Sequence, residues 1–162
     1  MGRLALLALR TVMVALLAGS VFVQAVMVPL LAADMKDADA TVRVPVVVIT
    51  LLGLVTAQVV VVCVWRLVTM VRRGTVFSHA AFRYVDIVTG AFGTAALLTF
   101  ALGVVLAPGE AVAPGVVLLI GGVMVAILGI ALIVLVLRML LAQAVARDVE
   151  AAEMRAELAE VI

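Results

Sequence analysis

The sequence predicts an all-α integral membrane bundle of four transmembrane helices with a cytosolic C-terminal helical extension, all in one domain over residues 1–162. Three observations carry this expectation. Four apolar runs, at about 11–31, 44–65, 87–107 and 115–137, contain no Asp, Glu, Lys or Arg. Each is near or above the roughly 20 residues with which an α-helix crosses a hydrocarbon core of about 30 Å. Apolar residues make up 68% of the chain, against about 45–50% in soluble domains. The basic residues, finally, gather at alternate ends of the runs. A net charge of +1 excludes the strongly basic surface that direct nucleic-acid binding needs.

Lys and Arg in short flanking loops set the orientation of a membrane protein, and acidic residues contribute little. Arg3 and Arg10 precede the first run. Arg66, Arg72, Arg73 and Arg83 lie between the second and third, and Arg138, Arg147 and Arg155 follow the fourth. With four crossings those places share one side, and the other side holds only Lys36 and Arg43. Both termini are therefore expected in the cytoplasm, with the chain multi-pass in the plasma membrane. Trp65 is expected to anchor the cytoplasmic end of the second helix among the lipid headgroups.

The first run follows a basic flank, as a secretory signal does. Signal cores have about 7–15 apolar residues, and this run is longer. Val23 in Val23-Gln24-Ala25 is also larger than a cleavage site prefers. A retained membrane helix is expected. The loop that follows, about 32–43, holds Asp34, Asp37 and Asp39. It lacks the spacing and the turn glycine of an EF-hand, so it reads as a solvated acidic loop and not as a metal site.

The second run is rich in valine, a poor helix former in water. In a bilayer an open strand leaves its backbone unsatisfied, so helix is the expected state. Cys63, the one cysteine, allows no intramolecular disulfide and reads as a small buried hydrophobe.

The connection to the third run reads as helix, stop, turn, helix. Gly74 suits the left-handed position just past a helix end. Arg72 and Arg73 complement the negative end of that helix dipole. Ser78 is a good N-cap, which puts Phe77 at N′ and Phe82 at N4, the two positions of a hydrophobic staple. The third helix is thus expected to start at about His79 and to enter the bilayer near Asp86 and Ile87. His79, the one histidine, reads as solvated at an exposed helix start.

The stretch Arg72-Arg73-Gly74-Thr75-Val76-Phe77-Ser78, followed by a helix with Phe82, Arg83 and Tyr84, resembles the signature of DUF2975. That bacterial family of unknown function comprises small proteins with four predicted transmembrane helices and a Gly-x-x-Phe-Ser motif between the second and third. By motif the resemblance covers about 72–90. It implies a bacterial inner membrane. Genes of the family often stand beside small helix-turn-helix repressors, which implies a regulatory pairing with a helix-turn-helix regulator. It implies no catalytic residues. The ending from Met154 to Ile162 departs from the Asp-x-Thr-Ile close of many members.

Lipid gives no hydrophobic drive between helices, so small residues that let backbones approach matter more. In the third run Ala91, Ala95, Thr99, Gly103 and Ala107 follow at steps of four. This stripe is expected to pack against the fourth run, which offers Gly122, Ala126 and Gly129. Pro108-Gly109 suits a tight turn that makes the two helices an antiparallel hairpin. The tail, 138–162, is expected to continue the fourth helix into the cytosol. Leu141, Val145, Val149, Ala152, Ala156 and Ala159 form an apolar seam at helical spacing, and Glu150, Glu153, Glu157 and Glu160 line a different face.

Polar groups within spans are the first functional candidates. Gln24 lies about 14 residues from the cytoplasmic end of its run and Gln58 about 7, an offset of roughly 10 Å at 1.5 Å per residue. The two are not expected to bond each other, and each reads as glue between helices. Threonine hydroxyls can bond their own helix backbone. No acid falls within a run to couple protons, since Asp86 stands at a boundary. The two helix pairs show no inverted repeat of the transporter kind. His79 and Cys63, in different regions, make neither a nucleophile with its base nor a metal set. The chain is therefore expected not to be an enzyme, with no catalytic residue, cofactor or metal. The expected function is a regulatory or scaffold role through protein contacts at the cytoplasmic face. The alternative is a small oligomeric transporter or channel. The expected partners are the lipid bilayer and either a cytosolic regulatory protein or a second copy bound through the C-terminal helix, with no direct nucleic-acid contact.

Overall fold

The computed structural model describes residues 3–72, 79–108 and 112–161. Every regular element among them is helical. The first crossing joins α1 (Arg3–Phe22), a π-turn (Val23–Met27) and α2 (Val28–Asp34). The backbone stays right-handed through both joints, with φ −61°, ψ −45° at Phe22 and φ −66°, ψ −44° at Val28. The Val28 N–H donates to the Val23 carbonyl, five residues back. Pro29 accounts for this. It has no N–H for the Ala25 carbonyl, and its ring crowds that oxygen. The wider turn moves the carbonyl aside.

A 3-10 turn (Met35–Asp37) ends the crossing, and Ala38 is extended at φ −81°, ψ 148°. The Asp39 carbonyl then accepts the N–H groups of Val42 and Arg43 at 3.0 Å each, which opens α3 (Ala40–Arg72). Next come α4 (His79–Leu106) and α5 (Pro114–Val161). α4 starts at the residue expected from the sequence. Proline at the first position of α5 costs nothing, since its missing N–H would be unpaired there in any case. Gly74, Phe77 and Ser78 of the predicted stop and staple lie outside the described residues, as does Gly109 of the predicted turn.

Four stretches are long and apolar enough to cross a membrane: Leu7–Asp37, Ala40–Met70, Phe82–Leu106 and Pro114–Ala156. The last corrects the expected architecture. The helix does run on past Leu137, but nothing marks off a cytosolic extension at Arg138. No glycine or proline interrupts 138–162, and α5 is one unbroken helix of 48 residues.

The helices meet in chain order. α3 packs on α4 and α4 on α5, while α1 and α2 rest more lightly on α3. Among the described residues the buried side chains are all apolar, including Met13, Val46, Val88, Ala91 and Ala131. Cys63 is buried too, as its reading as a small hydrophobe anticipates. Large apolar side chains cover the outside instead; Leu118 is 79% exposed and Leu97 68%. In water such a surface would drive association. In a bilayer, lipid tails solvate it.

Candidate functional site

A polar side chain inside an apolar crossing needs a bonding partner. Ser20 from the last turn of α1, Gln24 from the π-turn and Gln58 from the middle of α3 supply one another. Gln58 Nε2 donates to Ser20 Oγ and to Gln24 Oε1, each at 3.0 Å. The Ser20 hydroxyl donates to the Leu17 carbonyl at 2.8 Å, which leaves its lone pairs to accept. The two glutamines thus do bond each other, contrary to the depth argument. Helical side chains lean toward the N-terminus of their helix. In an antiparallel pair, Gln24 leans back toward the start of α1 and Gln58 toward the start of α3, so each leans toward the other. Two long side chains close an offset that a count of Cα positions overstates.

The same helix pair is tied nearer the start of α1 by the Arg10 guanidinium, 5.1 Å from the centre of the Trp65 ring, within cation–π range. α4 and α5 are tied by a charged fork. Arg138 Nη2 donates to Asp86 Oδ2 at 2.8 Å, and Arg138 Nε lies 2.5 Å from Asp86 Oδ1. Nε is buried and off hydrogen-bond alignment, so charge rather than direction holds that arm. Both side chains keep part of their surface exposed.

On α4, Thr99, Gly103 and Ala107 line a groove of about 250 Å³ against Val117, Ile120, Gly121 and Met124 of α5. A methyl at Gly103 would sit 3.5 Å from Ile120 Cγ2. Ala91 is buried and Ala95 half-buried. The α5 residues expected opposite the stripe do not all face it, since Gly122 and Ala126 are exposed. Gly121, one residue earlier and about 100° round the helix, lines the groove instead. The Thr50, Thr69, Thr89 and Thr99 hydroxyls each donate to the carbonyl four residues back, as the sequence reading allows. Phe82 is half-buried near the start of α4. Among the described residues no three His, Cys, Asp or Glu side chains come together as a metal site requires.

A family described as a protein of unknown function, DUF2975, matches residues 30–162. The chain belongs to the DUF2975 family. No curated protein and no solved structure matches it. The DUF2975 match takes in α3, α4 and α5 whole, and with them Gln58, the Asp86–Arg138 fork and the α4–α5 groove. Arg10, Ser20 and Gln24 lie ahead of it.

Two pairings in this DUF2975 chain escaped sequence reasoning that had each residue in view. Arg10 borders the first run and Trp65 closes the second, so antiparallel neighbours bring them level. Asp86 opens the third run and Arg138 follows the fourth, and the same rule pairs them. The usable signal was opposite or complementary chemistry at matching ends of adjacent crossings.

Proposed function

We propose that the protein is a non-enzymatic regulatory or scaffold protein of the plasma membrane, working through protein contacts at its cytoplasmic face. The observation that carries this reading is the length of α5. Its 48 residues extend about 72 Å at 1.5 Å per residue, against a hydrocarbon core of about 30 Å. The basic residues around the first run, between α3 and α4, and along the end of α5 favour a cytoplasmic placement for both termini. On this reading the length of α5 that a core of about 30 Å does not hold stands on the cytoplasmic side. There Val149, Ala152 and Ala156 of the apolar seam are exposed, beside Glu150 and Glu153. A helix or groove of a cytosolic regulator, such as a helix-turn-helix protein, fits that seam.

The test is affinity purification of the full chain in mild detergent, repeated with Phe77→Ala/Phe82→Ala and with Val149→Glu/Ala152→Glu. A stoichiometric partner retained by the wild type and lost from the variants is the expected result. The absence of such a partner from all three counts against the reading. The Ser20, Gln24 and Gln58 cluster within the first two crossings favours a second reading, a small oligomeric transporter or channel. That reading requires solute flux through vesicles containing the purified chain.

A further inference from the structure

The polar cluster between the first crossing and α3 is satisfied only in part. Gln58 spends its Nε2 hydrogens on Ser20 and Gln24. Gln24 Nε2, with two hydrogens, and Gln58 Oε1, with two lone pairs, have no hydrogen-bond partner among the described residues. Exchanging the O and N ends of both amides leaves the same remainder, one NH₂ group and one carbonyl. In hydrocarbon such a remainder is costly. Both glutamines are only half-buried, and large apolar neighbours in sequence, Val21, Phe22, Val55 and Val59, stand exposed.

What remains is a donor and an acceptor, and the bond within the chain holds the two amides at one depth. A two-fold axis along the membrane normal brings the same pair from a second copy to that depth with no slide along the helices. The four amides then close a ring in which every link has a donor and an acceptor. Gln58 donates to Gln24 inside each copy, and Gln24 donates across the axis. A different membrane protein would have to present both a donor and an acceptor at this one level; a second copy does so by symmetry.

We propose that Gln24 and Gln58 form the polar centre of a two-fold interface between two copies of this chain, in which each Gln24 Nε2–H donates to the partner's Gln58 Oε1. The interface does not depend on α5 or on cytoplasmic docking, so it stands or falls separately from the regulatory reading.

The experiment uses the full chain carrying donor or acceptor fluorophores, co-reconstituted in phosphatidylcholine vesicles. Energy transfer is followed against the protein-to-lipid ratio. The wild type is expected to saturate at a dimer. Gln24→Met keeps the shape and removes the amide, so two bonds between the copies are lost together with the Gln58–Gln24 bond inside each copy. Its midpoint is expected at a protein density about tenfold higher or more. Ser20→Ala leaves the exchanged groups in place and is expected to stay within about twofold of the wild type. If Gln24→Met loses its helical circular dichroism, Gln24→Asn, one methylene shorter, takes its place with the same expectation. Transfer no greater than random proximity for the wild type overturns the proposal. So does an unchanged midpoint for the Gln24 variant, or association abolished by Val149→Glu/Ala152→Glu while Gln24→Met is silent.

Discussion

Asp86 and Arg138 join two crossings through one pair of side chains, and their removal separates charge from packing. Asp86→Asn and Arg138→Gln are each expected to destabilise the fold by about 1 kcal/mol, the upper end for a partly exposed pair. The exchanged double variant Asp86→Arg/Arg138→Asp is expected to recover part of the loss. A double-mutant cycle on thermal unfolding in detergent checks this; strictly additive losses would count against a direct interaction. At this scale the sequence was legible in residue type and only partly in pairing. Gln24 and Gln58 stand out as polar residues in apolar runs. Their bond was hidden because depth counted along Cα positions ignores the direction in which helical side chains lean. The threonines were easier, because each bond stays within one helix and needs no knowledge of neighbours.

The α4–α5 contact puts a limit on side-chain size. Gly103→Ala adds a methyl at ordinary contact distance from Ile120 and is expected within about 0.5 kcal/mol of the wild type. Thr99→Leu/Gly103→Val places branched carbon at two points of the shared groove and is expected to cost about 1–3 kcal/mol. Thermal unfolding of both variants decides it, and an unchanged double variant would show that these positions do not set the approach of the helices. The start of α4 at His79 agrees with a sequence reading built on local signals, although Phe77 and Ser78, which carried that reading, lie outside the described residues. The π-turn was not read. Pro29 announces a disturbance in the first crossing, but whether a helix answers with a kink or an extra residue depends on the packing around it. The end of the fourth crossing was blurred for a related reason. From Arg138 onward the charges are interspersed with apolar residues, and no glycine or proline marks where a crossing would end.

The molecule as a whole is a set of helices packed in chain order with most of its large apolar side chains on the outside. The hydropathy of the runs made this arrangement legible, since lipid imposes the same outward apolar surface on any such chain. The proposed orientation predicts a labelling pattern. In a Cys63→Ser background, Ala33→Cys is expected to react with a membrane-impermeant thiol reagent added to intact cells. Ala152→Cys is expected to react only after the cells are opened, and the reverse pattern would invert the topology. The unbroken course of α5 has a mechanical side as well. From Arg138, where it is joined to α4 by the fork, to Val161 it covers about 35 Å at 1.5 Å per residue. A tilt of about 10° at that fulcrum swings the far end by about 6 Å, more than one helical turn of rise. A small adjustment at the level of the fork would thus be enlarged, at the far end of the helix, to about the rise of one turn.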